Sequence, residues 1–174
     1  MKYFNILIIF TAFLSLIGIN TACQNNSGRV LRTTAASQVK NRQSLKNFVL
    51  DAKNYLEKDY NKATNDFRKK DGPWRHEEVY LFIVDESGTT LFHAGIPIFE
   101  GQRVGLIDLD TGEYIVDSLI RTGLQWGGGF IEYRFDNPET SEKENNKKIT
   151  YVTPFRRSEG DLTLIIGAGF FPDE

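Results

Sequence analysis

Val79 to Gly95, VYLFIVDESGTTLFHAG, is the stretch whose reading decides the fold. Val79, Tyr80, Phe82, Ile83 and Val84 are the β-branched and aromatic types that fit a half-buried pleated surface. Asp85-Glu86-Ser87-Gly88 supplies turn chemistry, an acceptor side chain first and a φ-permissive glycine last. Thr89 to Phe92 leads back out, and the hairpin delivers His93, one of two histidines, to its end. The stretch reads as strand, tight turn and strand.

Upstream, from Gln38 to about Lys70, the pattern is helical. Leu45, Phe48, Val49, Ala52 and Leu56 form one stripe of an amphipathic helix, continued by Ala63 and Phe67 after a loosening near Asp59-Tyr60. Asp71-Gly72-Pro73 ends it. Downstream, Ala94 to Val104 is a loop, and Asp110-Thr111-Gly112 is a turn. Ile115, Val116, Leu119 and Ile120 mark a short helix closed by Gly123. Three strands then follow, at Phe130 to Phe135, Lys147 to Phe155 and Leu162 to Phe170, the first pair joined by a polar hairpin loop from Asp136 to Asn146. Within the first of these, Ile131, Tyr133 and Phe135 alternate with Glu132 and Arg134 and point inward. The sum is an α+β architecture, a long N-terminal helix packed on a five-stranded antiparallel sheet, with helices on one face.

The N-terminus reads as a targeting segment. Ile6 to Ile19 is apolar apart from Thr11, Ser15 and Gly18, too short for the roughly 20 residues a spanning helix needs. The run ends at Ala22-Cys23, and Cys23 is the single cysteine. Its setting resembles a bacterial lipobox, with Asn20 departing from the usual aliphatic residue; an ordinary secretory signal is the plainer reading. The expected organisation is a signal peptide over 1–22, a lipid-anchored tether over 23–37 and a folded domain over 38–174. That places the domain outside the cytoplasm on a membrane anchor. One cysteine allows no intramolecular disulfide, so the fold stands on its core. The balance of 21 Lys plus Arg against 23 Asp plus Glu, with no basic patch, argues against nucleic acid as a partner.

The ordered set of these segments resembles a single Cache domain, the extracytoplasmic relative of the PAS fold. The words that carry it are VYLFIVD with Gly88 and LFHAG, then Gly101 to Val104 leading into Asp108, Asp110 and Gly112. Gly128-Gly129-Phe130-Ile131-Glu132-Tyr133, Lys148-Ile149-Thr150-Tyr151-Val152 and Gly167-Ala168-Gly169-Phe170-Phe171 complete it. The resemblance implies a sensor of small molecules, often short organic acids, and places His93 and Lys148 at a ligand pocket.

The residues themselves offer a matching set. His93 could hydrogen-bond a carboxylate, or be a surface residue at a strand end. Tyr133 and Tyr151 are inward by alternation and need hydroxyl partners, from ligand or from backbone. Tyr80 walls the same space or is plain core. Strict alternation sets Lys148 on the opposite face from Tyr151 and Lys147 in phase with it, so either lysine is the cation unless a bulge intervenes. Arg75 is the other source of positive charge, or else a solvated arginine lying along Trp74.

Other chemistries find no support. Gly127 to Gly129 lacks the lysine and helix of a phosphate loop, and His76-Glu77-Glu78 lacks a second ligand at metal spacing. Asp108, Asp110 and Glu113 lack the rest of a calcium loop, and no serine has a nucleophile's setting. The sequence therefore predicts a binding module without cofactor or catalysis, taking a small carboxylate and serving a signalling or transport partner. An envelope interaction module on the same fold is the alternative, with a hydrolase a distant third.

Overall fold

The computed structural model describes residues 34–70, 72–134, 147–157 and 162–172. The signal peptide, Cys23, most of the tether, Phe135 and the 136–146 loop lie outside the described residues. Among those described, no helix is long and apolar enough to cross a membrane.

Helix α1 (Arg42–Leu56) starts at a reciprocal cap. The Asn41 side chain accepts from the Ser44 N–H at 2.9 Å, and the Ser44 hydroxyl accepts from the Asn41 N–H at 3.1 Å. The expected stripe is its buried face, with Leu45, Phe48, Val49 and Ala52 fully covered. The loosening near Asp59 is a true break. Asp59 caps a separate helix α2 (Tyr60–Phe67) by accepting from the Lys62 N–H at 2.9 Å, so the predicted single long helix is two.

The decisive stretch forms β1 (Leu81–Asp85) and β2 (Thr90–His93). Asp85 organises the turn, its carboxylate accepting from the Ser87 and Thr89 N–H groups at 2.9 Å each. Helix α3 (Ile115–Trp126) follows, then β3 (Gly129–Arg134), β4 (Lys147–Arg156) and β5 (Thr163–Phe170). The five strands are antiparallel in the order β2-β1-β5-β4-β3, an α+β fold as the sequence predicts.

Two expectations change. Helix α3 does not close at Gly123 but runs on to Trp126, and Gly127 ends it in the left-handed conformation at φ 69°. Gly123 is buried within the helix because a Cβ there would lie 2.9 Å from the Ile165 side chain. The helices also occupy both faces of the sheet. Helices α1 and α2 pack on Leu81, Ile83, Ile166 and Ala168, whereas Ile115 and Leu119 of α3 pack on Phe82, Val84, Val152 and Ile165. These are alternate residues of the same strands, hence opposite faces.

Candidate functional site

On the α3 face, between the sheet, the helix and the 94–114 loop, lies a cavity of about 80 Å³. About 10–15 Å³ of such space holds one water, so there is room for a small organic molecule of several heavy atoms. Val84, Leu106, Ile115 and Leu119 wall it, while Tyr80, His93, Tyr133 and Lys148 bring polar groups to it.

Lys148 is the least expected of these in energetic terms, a lysine only 4% exposed. It pairs directly across the ladder with Tyr133, so both side chains leave the sheet on the same side. Its ammonium donates to the Tyr80 hydroxyl at 3.2 Å and lies 4.6 Å from the centre of that ring and 5.0 Å from the Phe171 ring. Gly169 makes this course possible. A Cβ there would lie 2.8 Å from Lys148 Cε and 2.4 Å from the Thr150 hydroxyl. That hydroxyl bonds the Tyr133 hydroxyl at 2.9 Å, satisfying a buried phenol. Burial pushes the Tyr133 phenol up in pKa, against the pull of Lys148, so it stays protonated as a donor.

His93 stands at the opposite edge of the sheet. Its Nδ1 accepts from the Ile96 N–H at 2.8 Å, which assigns the ring proton to Nε2 and leaves Nε2–H as the available donor. Tyr80, at 5.0 Å between ring centres, and Phe99, at 5.4 Å, hold the imidazole in place. Burial first, and then the Lys148 charge, lower its pKa to about 4, so it is neutral at ordinary pH. The Glu100 carboxylate fixes the backbone by accepting from the His93 N–H at 2.8 Å, while Arg68, at the C-terminal cap of α2, grips the same carboxylate at 2.7 Å.

Of the six sequence-predicted ligand residues, the structure thus brings Tyr80, His93, Tyr133 and Lys148 together and leaves two elsewhere. Tyr151 does not face the cavity. It pairs across from Phe130 on the α1 face, with ring centres 4.9 Å apart and the Lys46 ammonium 5.9 Å from its ring. Alternation within β4 was read correctly; the register between β3 and β4, which sets Tyr133 against Lys148, resolves the conflict without a bulge in that pair. Lys147 is exposed and forms ion pairs, with Arg42, on Glu132. Arg75 makes no wall. A tight turn bridging His76 and Val79 separates it from β1, although its charge is still felt at His93.

Thr90 is the residue that sequence reasoning missed. His93 pairs with Phe82 and Thr90 with Val84, so Leu91 is an extra residue bulged out of β2 and 40% exposed. Residues three apart on a regular strand face opposite ways; the bulge turns both Thr90 and His93 to the cavity. The alternating glycines of GAGF, Gly167 and Gly169, are the available signal that one sheet face is bare enough for side chains to cross it.

The 108–113 turn is a structural device. Burial pushes the Asp108 carboxyl up, but bonds from the Arg134 N–H, the Thr111 hydroxyl and the Asp110 N–H outweigh it and hold the pKa below the usual range. Among the described residues, no cluster of three acids, histidines or cysteines could hold a metal.

The Cache domain family matches residues 69–174, more than half of the sequence. The chain belongs to the Cache domain family. Solved structures share the fold of this Cache domain at low identity. One is a Cache chemosensory domain described for its recognition of carboxylic acids, 24% identical, with a TM-score of 0.58 over 75% of this chain and 92% of that one. The periplasmic sensor domain of a chemotaxis protein is 20% identical, with a TM-score of 0.51 over 75% and 90%. A methyl-accepting chemotaxis protein from Vibrio parahaemolyticus is 17% identical, with a TM-score of 0.53 over 74% and 86%. No curated protein matches the chain.

Proposed function

We propose that this Cache domain is a lipid-anchored, extracytoplasmic sensor that binds a small organic acid in the cavity beneath α3. The observation that carries the reading is Lys148, a buried cation at a small, otherwise largely apolar cavity, with four hydrogen-bonding side chains, Tyr80, Thr90, His93 and Tyr133, on the same walls. A carboxylate is the complement of that set. It accepts a charge-assisted bond from the ammonium and neutral ones from the His93 Nε2–H and the phenols, while its short carbon body meets the apolar walls. The similar fold described for carboxylic acid recognition supports the same chemistry.

Residues 1–22 serve as a signal peptide, Cys23 carries the lipid, and 23–37 tether a domain spanning 38–174 to the membrane. A signalling or transport protein receives the bound state. Anchoring is tested by fractionation: Cys23→Ser moves the protein from the detergent-requiring membrane fraction to the soluble one. An unmodified, soluble wild type would reject the anchor. Binding is tested by calorimetric titration with short organic acids and their amides. Acids bind and amides do not; equal binding of the two would reject a carboxylate site.

A further inference from the structure

The cavity has a second polar feature at the end remote from Lys148. Val152, Gly167, Phe82 and His93 form one row across the sheet. Lys148 enters four residues to one side of that row along β4, while Thr90, in the row of Pro154, Ile165 and Val84, lies two residues to the other side. Thr90 is 4% exposed and lines the cavity. Its backbone is fully engaged, the N–H donating to the Gln102 carbonyl and the carbonyl accepting from the Gly101 N–H, each at 2.8 Å. Its hydroxyl makes no hydrogen bond to any described residue, yet it is not a sealed, orphaned atom. The residue lines the cavity together with Val84, Val116 and Leu119. A hydroxyl in such a place costs stability unless something bonds it.

We propose that the ligand carries a second hydrogen-bonding group, a hydroxyl or keto oxygen at its far end, and that Thr90 selects for it. This rests on the carboxylate reading above and narrows it from organic acids in general to short hydroxy or oxo acids. Two residues of strand separate the His93 and Thr90 positions by about 7 Å. With carbon–carbon bonds of about 1.5 Å, zigzagged, an acid of roughly five carbons reaches from one to the other. The apolar middle of the cavity fits the intervening methylenes.

The test compares pentanoate with 5-hydroxypentanoate and 4-oxopentanoate by titration calorimetry against wild type, Thr90→Val and Thr90→Ser. Valine keeps the shape and deletes the hydroxyl; serine keeps the hydroxyl and reports on folding through the same position. Wild type and Thr90→Ser bind one of the oxygenated acids about 5-fold or more tighter than pentanoate, the size of one neutral hydrogen bond. Thr90→Val loses that preference. If acids bind but pentanoate is equal to or better than both oxygenated acids, or if Thr90→Val keeps the preference, the selection by Thr90 is overturned and the carboxylate site stands. If no acid binds the wild type, the carboxylate reading falls and this one with it.

Discussion

Replacing Lys148 by methionine removes the one charged side chain among the described residues that line the cavity, while keeping a stem of similar length across Gly169. The ammonium is almost wholly withdrawn from water and lies 3.2 Å from the Tyr80 hydroxyl, so a carboxylate beside it gains a bond that bulk solvent barely competes for. A hydrogen bond to a charged group contributes about 1.5–3 kcal/mol, which corresponds to a loss of about 10- to 150-fold in acid affinity. Salt matters little to this term, because buried pairs are poorly screened. The assay is calorimetric titration of wild type, Lys148→Met and Lys147→Met with one acid and its amide. Lys148→Met loses the acid by that factor and still does not bind the amide, so discrimination collapses. Lys147→Met, whose side chain is at the surface on Glu132, binds as wild type does. A Lys148→Met protein that folds and holds the acid within threefold of wild type refutes the reasoning, as would the same loss from Lys147→Met.

The His93 pKa of about 4 lies below the ordinary 6.5, so between those values the unfolded chain takes up a proton that the folded chain refuses. Stability is therefore full above pH 6.5 and falls by about 3 kcal/mol as pH drops toward 4, in denaturant titrations that His93→Gln flattens over this window. An equal slope in the variant would place the dependence elsewhere. Gly169→Ala forces a Cβ against Thr150, Lys148 and the Ile149 carbonyl, and overpacking of that kind costs about 1–3 kcal/mol; both the melting temperature and acid affinity fall, and a melting curve like the wild type's counts against the crowding. Tyr151→Phe, on the α1 face, leaves acid affinity unchanged in the same titration; a loss above threefold would bring Tyr151 back to the ligand.

What the sequence revealed follows from the range over which each signal acts. The α1 stripe, the hairpin and the breaks near Asp59 and after Trp126 depend on neighbours within a turn or two of chain. Propensity and periodicity read the first three well; they misplaced the last only because Gly123 looks like a stop until Ile165 is seen pressing on it. Which residues share a strand face was equally readable, since alternation is local. What could not be read was the phase of one strand against the next. Ile131 and Tyr133 do share a face, but alternation alone puts Tyr133 and Tyr151 on one side of the sheet when they lie on opposite sides.

The same limit explains why Lys148 looked misplaced and Thr90 went unseen. For Lys148, the polar hairpin loop conceals how many residues offset β3 from β4, and only the pairing of Tyr133 with Lys148 settles which face is the polar one. For Thr90, a single bulged leucine reverses the phase of β2 between two residues of the site, and nothing about an exposed Leu91 announces it. The binding face is thus built from two inter-strand offsets, each of one residue's consequence. A one-residue slip in either would carry the lysine or the threonine through the sheet to the α1 side, where Leu81, Ile83 and Ile166 leave no place for a polar group. Register is consequently held from both faces. Apolar packing on α1 penalises any slip, and on the α3 side the Lys148–Tyr80 and Tyr133–Thr150 hydrogen bonds depend on the same pairing.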